Sequence, residues 1–200
     1  MSTQLYFIYD SHCPWSYATT KLVEQVAEHL PQINIHFMHA HYFDGDTNIS
    51  KKTIDSVIEL SDVKFGVSYL NTLEENKDAT LIANLLGWTE QKSEKDTLRT
   101  LVAMQKAHFI EGNPLTNSED VSAILSNLKL SPPNKSLKNN KLIKDAQFIL
   151  QDIEEIQEII NTRAIPALLL AHNDNLVLLN HNLYLSTPNA IVEAITQEIG

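Results

Sequence analysis

Cys13 is the only cysteine in the 200-residue chain, and Cys13-Pro14-Trp15-Ser16-Tyr17 is the stretch whose residue types best suit nucleophilic chemistry. The apolar run Leu5-Tyr6-Phe7-Ile8-Tyr9 ahead of it predicts a strand, and Val23, Val26, Ala27 and Leu30 behind it mark one face of an amphipathic helix. A thiol at such a junction meets unpaired backbone N–H groups and the positive end of aligned peptide dipoles. That field favours thiolate over thiol, so a depressed pKa is expected for Cys13. Pro14 suits a first helical turn, where its missing N–H would have been unpaired anyway. Ser16 lies three residues on, shares a helix face with the sulfur and can donate to it. Trp15 is pushed outward as a stacking surface. The same residues admit a plainer interpretation, a buried inert thiol, because free cysteine is among the most buried residue types.

The segment Asp10-Ser11-His12-Cys13-Pro14-Trp15-Ser16-Tyr17 resembles the active-site segment of DsbA-like members of the thioredoxin superfamily, which usually read Cys-x-x-Cys-Tyr. Here Ser16 stands in place of the second cysteine. Ala103-Met104-Gln105-Lys106-Ala107-His108-Phe109-Ile110-Glu111-Gly112 is similar to the helical-domain segment of the same family's predicted protein-disulfide isomerases. Ala164-Ile165-Pro166-Ala167 falls where the family carries its cis-proline before a strand. The resemblance implies an α/β, thioredoxin-like fold with a large all-helical insertion between the second and third strands. Residues 1–47 and 151–200 would form the thioredoxin-like domain and 48–150 the insertion. It implies Cys13, Ser16 and Pro166 as the catalytic group, with Pro14, Trp15, Tyr17, Ile165, His12, Gln105 and His108 as candidate substrate-binding residues. A cis Pro166 would bring the backbone of Ile165 beside the sulfur, with an N–H and a C=O open to an extended substrate. Ile165 also makes that rim apolar, where many DsbA-type proteins carry a smaller or hydroxyl residue. His12 either turns inward and lowers the thiol pKa or faces solvent. Gln105 and His108 either line the cleft or sit on the surface of an amphipathic helix.

Thiol–disulfide exchange begins when a thiolate attacks one sulfur of a disulfide, a step open to Cys13. Ser16 cannot resolve the resulting mixed disulfide. It ends by attack of an external thiol such as glutathione, by attack of the substrate's own second thiol, or it persists. The leading expectation is therefore a monothiol thiol-disulfide oxidoreductase or isomerase with no bound cofactor and glutathione as co-substrate. Its partners would be a disulfide- or glutathione-bearing protein or a small thiol. Two alternatives stand beside it. Kappa-class glutathione transferases and 2-hydroxychromene-2-carboxylate isomerases share the architecture and use a serine near this turn to hold glutathione's thiolate. A binding module that kept the fold and lost the chemistry is the other, and it would leave Cys13 with an ordinary pKa.

Twenty-five acids against 15 bases give a net charge of −10, which argues against nucleic acid or an anionic membrane as partner. The apolar fraction of 43% is ample for a core, yet no apolar run approaches a membrane span. Met1-Ser2-Thr3-Gln4 lacks a basic region and the apolar run after it is too short for a signal peptide, so a cytoplasmic chain is expected. Pro31 ends the first helix, and the alternation of Ile33, Ile35 and Phe37 predicts a second strand, parallel to the first through the helical crossover. His36, His39 and His41 follow one another closely near Asp44 and Asp46. On a strand His36 would point away from the other two, so no metal site is expected, only a polar strand end leaving the sheet.

From about Asn48 to Leu150 strand signals cease and helical stripes take over. Ile54, Val57 and Ile58 form one; Leu81, Ile82, Leu85 and Leu86 form another, with Gly87 as its expected C-cap. A helix from Leu98 to Gly112, another from Ser118 or Asp120, a break at Ser131-Pro132-Pro133-Asn134 and a long helix from Leu142 to Ile160 complete the block. Ala167–Leu170 and Leu176–Leu179 then predict an antiparallel pair across Asn173-Asp174-Asn175. Thr187 is the expected cap of a last helix, with Pro188 at its first position and Ile191, Ala194, Ile195 and Ile199 inward.

Overall fold

In the computed structural model, which describes residues 3–200, strand β1 (Gln4–Tyr9) is paired along both edges. Met1 and Ser2, part of the stretch considered for a leader, lie outside the described residues. The sheet order is β2-β1-β5-β6. β2 (Asn34–His39) runs parallel to β1, with Leu5 opposite Ile35 and Phe7 opposite Phe37. The parallel pairing requires a crossover, and helix α1 (Pro14–His29) supplies it. β5 (Ala167–His172) is antiparallel to β1, placing Leu168 opposite Phe7, and β6 (Asn175–Leu179) returns antiparallel to β5.

Alternation along β1 divides its side chains between two cores. Leu5, Phe7 and Tyr9 are fully buried in one, with Leu22, Val23 and Val26 of α1 and Ile191 and Ile195 of α8 (Ala190–Ile199). Ile8 points the other way, against Met38, Ala167 and Ile149 and Ile153 of α7 (Lys144–Ile160). Between β2 and β5 the chain builds β3 (Asp44–Thr47), α2 (Lys51–Leu60), α3 (Val67–Leu70) and β4 (Lys77–Asp78). It continues through α4 (Thr80–Lys92), α5 (Thr97–Phe109) and α6 (Ser118–Leu128) into α7. A boundary at residue 150 would fall inside α7, which is unbroken and packs on both α4 and β2.

Several local expectations need correction. The short ribbon of β3 and β4 escaped notice because Asp44-Gly45-Asp46-Thr47 and Lys77-Asp78 carry no apolar alternation. Gly87 is not a C-cap but lies inside α4, where a Cβ would come 3.0 Å from the backbone nitrogen of Ala146; it is there because α7 crosses closely. The last helix begins at Ala190, and Thr187 and Pro188 form the turn before it, with Thr187 C=O accepting from Ala190 N–H at 2.9 Å. α5 stops at Phe109, and Gly112 beyond it has φ +75.

Gly66, at the N-cap of α3, holds the insertion together by absence of a side chain. Its N–H donates to Phe109 C=O at 2.8 Å, and a Cβ would lie 1.9 Å from the carbonyl oxygen of Ile110. Backbone cannot yield as a side-chain tip does. Gly66→Ala is therefore expected to destabilise the protein by about 1–3 kcal/mol or more, read from urea unfolding. An unchanged midpoint would show that α3 and the end of α5 do not pack as described.

Candidate active site

The turn between β1 and α1 is fixed by Asp10, which is wholly buried. Its backbone C=O accepts from Cys13 N–H at 3.1 Å, and its N–H donates to Ser16 Oγ at 3.2 Å. Its carboxylate accepts from His12 N–H at 2.8 Å through one oxygen and from Phe43 N–H at 3.1 Å through the other. Burial nevertheless raises the Asp10 pKa above its ordinary value, although His12 and both N–H donors pull it down. One residue thus sets the cysteine, the serine and the loop that follows β2.

Cys13 is the N-cap of α1, with Pro14 in the first turn and Cys13 C=O accepting from Tyr17 N–H at 2.9 Å. It is 7% exposed and packs with Phe43, Ile49, Ile54, Tyr69, Ala79 and Phe109. The expected pKa depression is reversed. Burial pushes the thiol up and the Asp10 charge adds to this, outweighing the Ser16 hydroxyl and the Ser16 and Trp15 N–H groups that act to lower it. Ser16 itself is fully buried.

The thiol borders a cleft of about 380 Å³. Cys13, Pro14 and Trp15 form one wall; Tyr42, Phe43, Thr47, Asn48, Ile49, Ser50 and Thr53 form the second; Arg163, Ala164 and Ile165 form the third. The Ile165–Pro166 peptide bond is cis. Among the described residues neither N–H nor C=O of Ile165 has a hydrogen-bond partner, since β5 begins only at Ala167. Four of the residues singled out from sequence, Cys13, Pro14, Trp15 and Ile165, therefore meet in the cleft. Pro166 is buried and does not line it.

The others lie elsewhere. Tyr17 is half-buried and stacks on Phe109 with ring centroids 4.5 Å apart. His12, Gln105 and His108 are buried, neither on the surface nor lining the cleft. His12 donates from Nε2 to Pro114 C=O at 3.2 Å, which leaves Nδ1 to accept from the Ser11 hydroxyl at 3.0 Å. Its ring lies 4.1 Å from that of His108, whose Nδ1 donates to Asn113 C=O at 2.9 Å. The three clustered histidines do not converge. His36 stacks on Tyr6, His41 Nε2 lies 2.9 Å from Thr80 Oγ1, and His39 is buried with Nε2 2.8 Å from Ser11 Oγ.

Sequence reasoning passed over two groups. Asp10 stood within the quoted motif but had no assigned role; its position three residues before the cysteine was the available signal. Arg163 and the polar wall from Thr47 to Thr53 gave none, since they reach the cleft only through the β3 ribbon and the loop before Pro166.

No protein-family model and no curated protein matches this sequence. Solved structures do match. Cytosolic disulfide reductase DsbM from Pseudomonas aeruginosa aligns over 98% of this chain and 99% of its own, with TM-score 0.81 and 16% identity. The same protein solved with GSH gives 0.79 and 15% over 97% and 99%. Oxidoreductase DsbA from Xylella fastidiosa gives 0.58 and 11% over 98% and 86%. At these identities the likeness is one of fold: an α/β, thioredoxin-like architecture of the DsbA type with helices inserted between strands.

His39 gives the region behind the turn a pH dependence. Folded, burial lowers its pKa to about 3 from an ordinary 6.5, so it takes up a proton far more readily when unfolded. Its stabilising contribution is complete above 6.5 and declines as pH falls toward the folded value. In the neutral ring Nε2–H donates to Ser11 Oγ at 2.8 Å and Nδ1 accepts from His41 N–H at 3.0 Å, a bond that a protonated ring could not accept. Between pH 7 and pH 5 the wild type is expected to lose about 2 kcal/mol through this residue that His39→Asn does not lose. Urea unfolding of both proteins at the two pH values checks this; a constant difference between them would refute the assignment.

Proposed function

We propose that the protein is a monothiol thiol-disulfide oxidoreductase or isomerase in which Cys13 is the nucleophile and glutathione the co-substrate. The observation that carries this is the cleft itself: one thiol at a helix N-cap lines the same cleft as Ile165, whose backbone N–H and C=O have no partner among the described residues. A disulfide-bearing strand could pair with that backbone irrespective of its sequence, as an edge strand pairs with an added one. Attack of Cys13 thiolate on a substrate disulfide forms a mixed disulfide and expels the other substrate sulfur as thiolate. Glutathione thiolate then attacks the mixed disulfide and returns Cys13. Ser16 and the N–H groups of Ser16 and Trp15 stabilise the Cys13 thiolate through both steps.

A raised thiol pKa does not remove this chemistry. Nucleophilicity per thiolate rises with pKa with a Brønsted slope of about 0.4–0.5, so the smaller thiolate fraction is roughly half offset. The similarity to a reductase described as cytosolic and solved with GSH supports both the co-substrate and a cytoplasmic setting. Among the described residues no helix is long and apolar enough to cross a membrane. The transferase alternative is less well supported, because Ser16 is fully buried and does not line the cleft.

Native protein treated with glutathione disulfide is expected to gain one adduct at Cys13, removed by excess glutathione and absent from Cys13→Ala. The adduct-forming rate should climb with pH past the usual thiol range, because burial holds the proton on sulfur. In Ser16→Ala the thiol loses a stabilising donor, so the pH profile should move further upward and the neutral-pH rate fall severalfold. Mass spectrometry of quenched time courses gives both. Absence of an adduct until the protein unfolds would sink the proposal and leave the binding module as the better account.

A further inference from the structure

Among the described residues Arg163 is the only charged one lining the cleft, in a chain whose net charge is −10. It is exposed, and among the described residues no acid lies within ion-pair distance of it. The rest of the lining is neutral and includes the polar side chains of Thr47, Asn48, Ser50 and Thr53, so no charge there repels an anion. Ser50 and Thr53 also belong to the start of the ten-residue helix α2, the end that carries partial positive charge. A volume of about 380 Å³ lies within the range of roughly 300–1,000 Å³ typical of small-molecule sites. That size suits a tripeptide better than a folded protein's disulfide loop.

We propose that Arg163 is the specificity-determining residue of the cleft, holding a carboxylate of glutathione while the glutathione sulfur meets Cys13. This deepens the thiol-exchange proposal and rests on it for the covalent step, though not for binding. A guanidinium matches a carboxylate through two parallel N–H donors, which fixes orientation as well as charge. With the ligand so held, Cys13 thiolate displaces glutathione thiolate from glutathione disulfide, forming the Cys13–glutathione bond and breaking the old sulfur–sulfur bond. A second glutathione thiolate reverses the step, and no other oxidant or reductant is needed. A neutral disulfide of similar size would enter the same cleft without this anchor.

S-methylglutathione has no thiol to exchange, so its binding isolates recognition from chemistry. Calorimetric titration is expected to show Arg163→Gln binding it at least tenfold more weakly than wild type, with Arg163→Lys in between. The diethyl ester of S-methylglutathione, which lacks both carboxylate charges, should bind wild type about as weakly as the acid binds Arg163→Gln. Arg163 is exposed, and a circular dichroism spectrum matching wild type establishes that the variants fold. Equal binding of acid and ester to wild type, unchanged binding in Arg163→Gln, or no binding to wild type would each overturn the proposal. An unreactive Cys13 together with Arg163-dependent binding would remove the thiol-exchange function alone and leave the anchor standing.

Discussion

A carboxylate cannot be buried without donors, and the burial of Asp10 is the constraint on which the active-site turn depends. Ionised and stripped of water it would be costly; two backbone N–H groups from separate segments of the chain hold its oxygens. One comes from His12 in the turn, the other from Phe43 in the segment leading to β3. The carboxylate therefore ties the end of β1 to the start of the insertion. Its own backbone holds Cys13 and Ser16. Removing the side chain would free both donors inside the protein, so one defect would loosen two of the three walls around the sulfur.

The same arrangement governs the electrostatics of the thiol. A helix N-cap draws charge toward thiolate, while a nearby carboxylate and apolar packing push it back. Here burial wins because Cys13 is packed among Tyr69, Phe109 and Phe43, which exclude water from much of the sulfur. Cys13 is consequently a strong base and a poor leaving group. An incoming thiol expels it slowly, so a mixed disulfide on Cys13 should be longer-lived than on an acidic cysteine.

The sheet and most helices could be read from sequence because their signals are local. Leu5-Tyr6-Phe7-Ile8-Tyr9 looks like a strand wherever it sits, and the α7 stripe is periodic over its whole length. The cysteine-bearing turn was equally legible, since strand, Cys-Pro and helix follow one another directly. What failed depends on contacts between distant segments. Gly87 looks like a helix end until α7 is laid across it, and Lys77-Asp78 looks like nothing until it meets Asp44–Thr47. Gln105 and His108 share a helix with the right general location, but rotation about its axis turns them inward, and composition does not report rotation. The direction of the Cys13 pKa was misjudged for the same reason: the helix terminus is visible in sequence, the depth of burial is not.

A protein with a single sulfur nucleophile stores its redox state outside itself. For a dithiol, oxidation by glutathione disulfide releases two glutathione molecules, so its oxidised fraction depends on the square of the glutathione concentration. In the exchange proposed for Cys13 one is released, and the ratio of adduct to free thiol would follow the ratio of glutathione disulfide to glutathione alone. Dilution or accumulation of the whole glutathione pool at fixed ratio would leave that equilibrium unmoved. The substitution of Ser16 for a second cysteine thus changes the quantity to which such a site is thermodynamically sensitive, from potential to simple proportion.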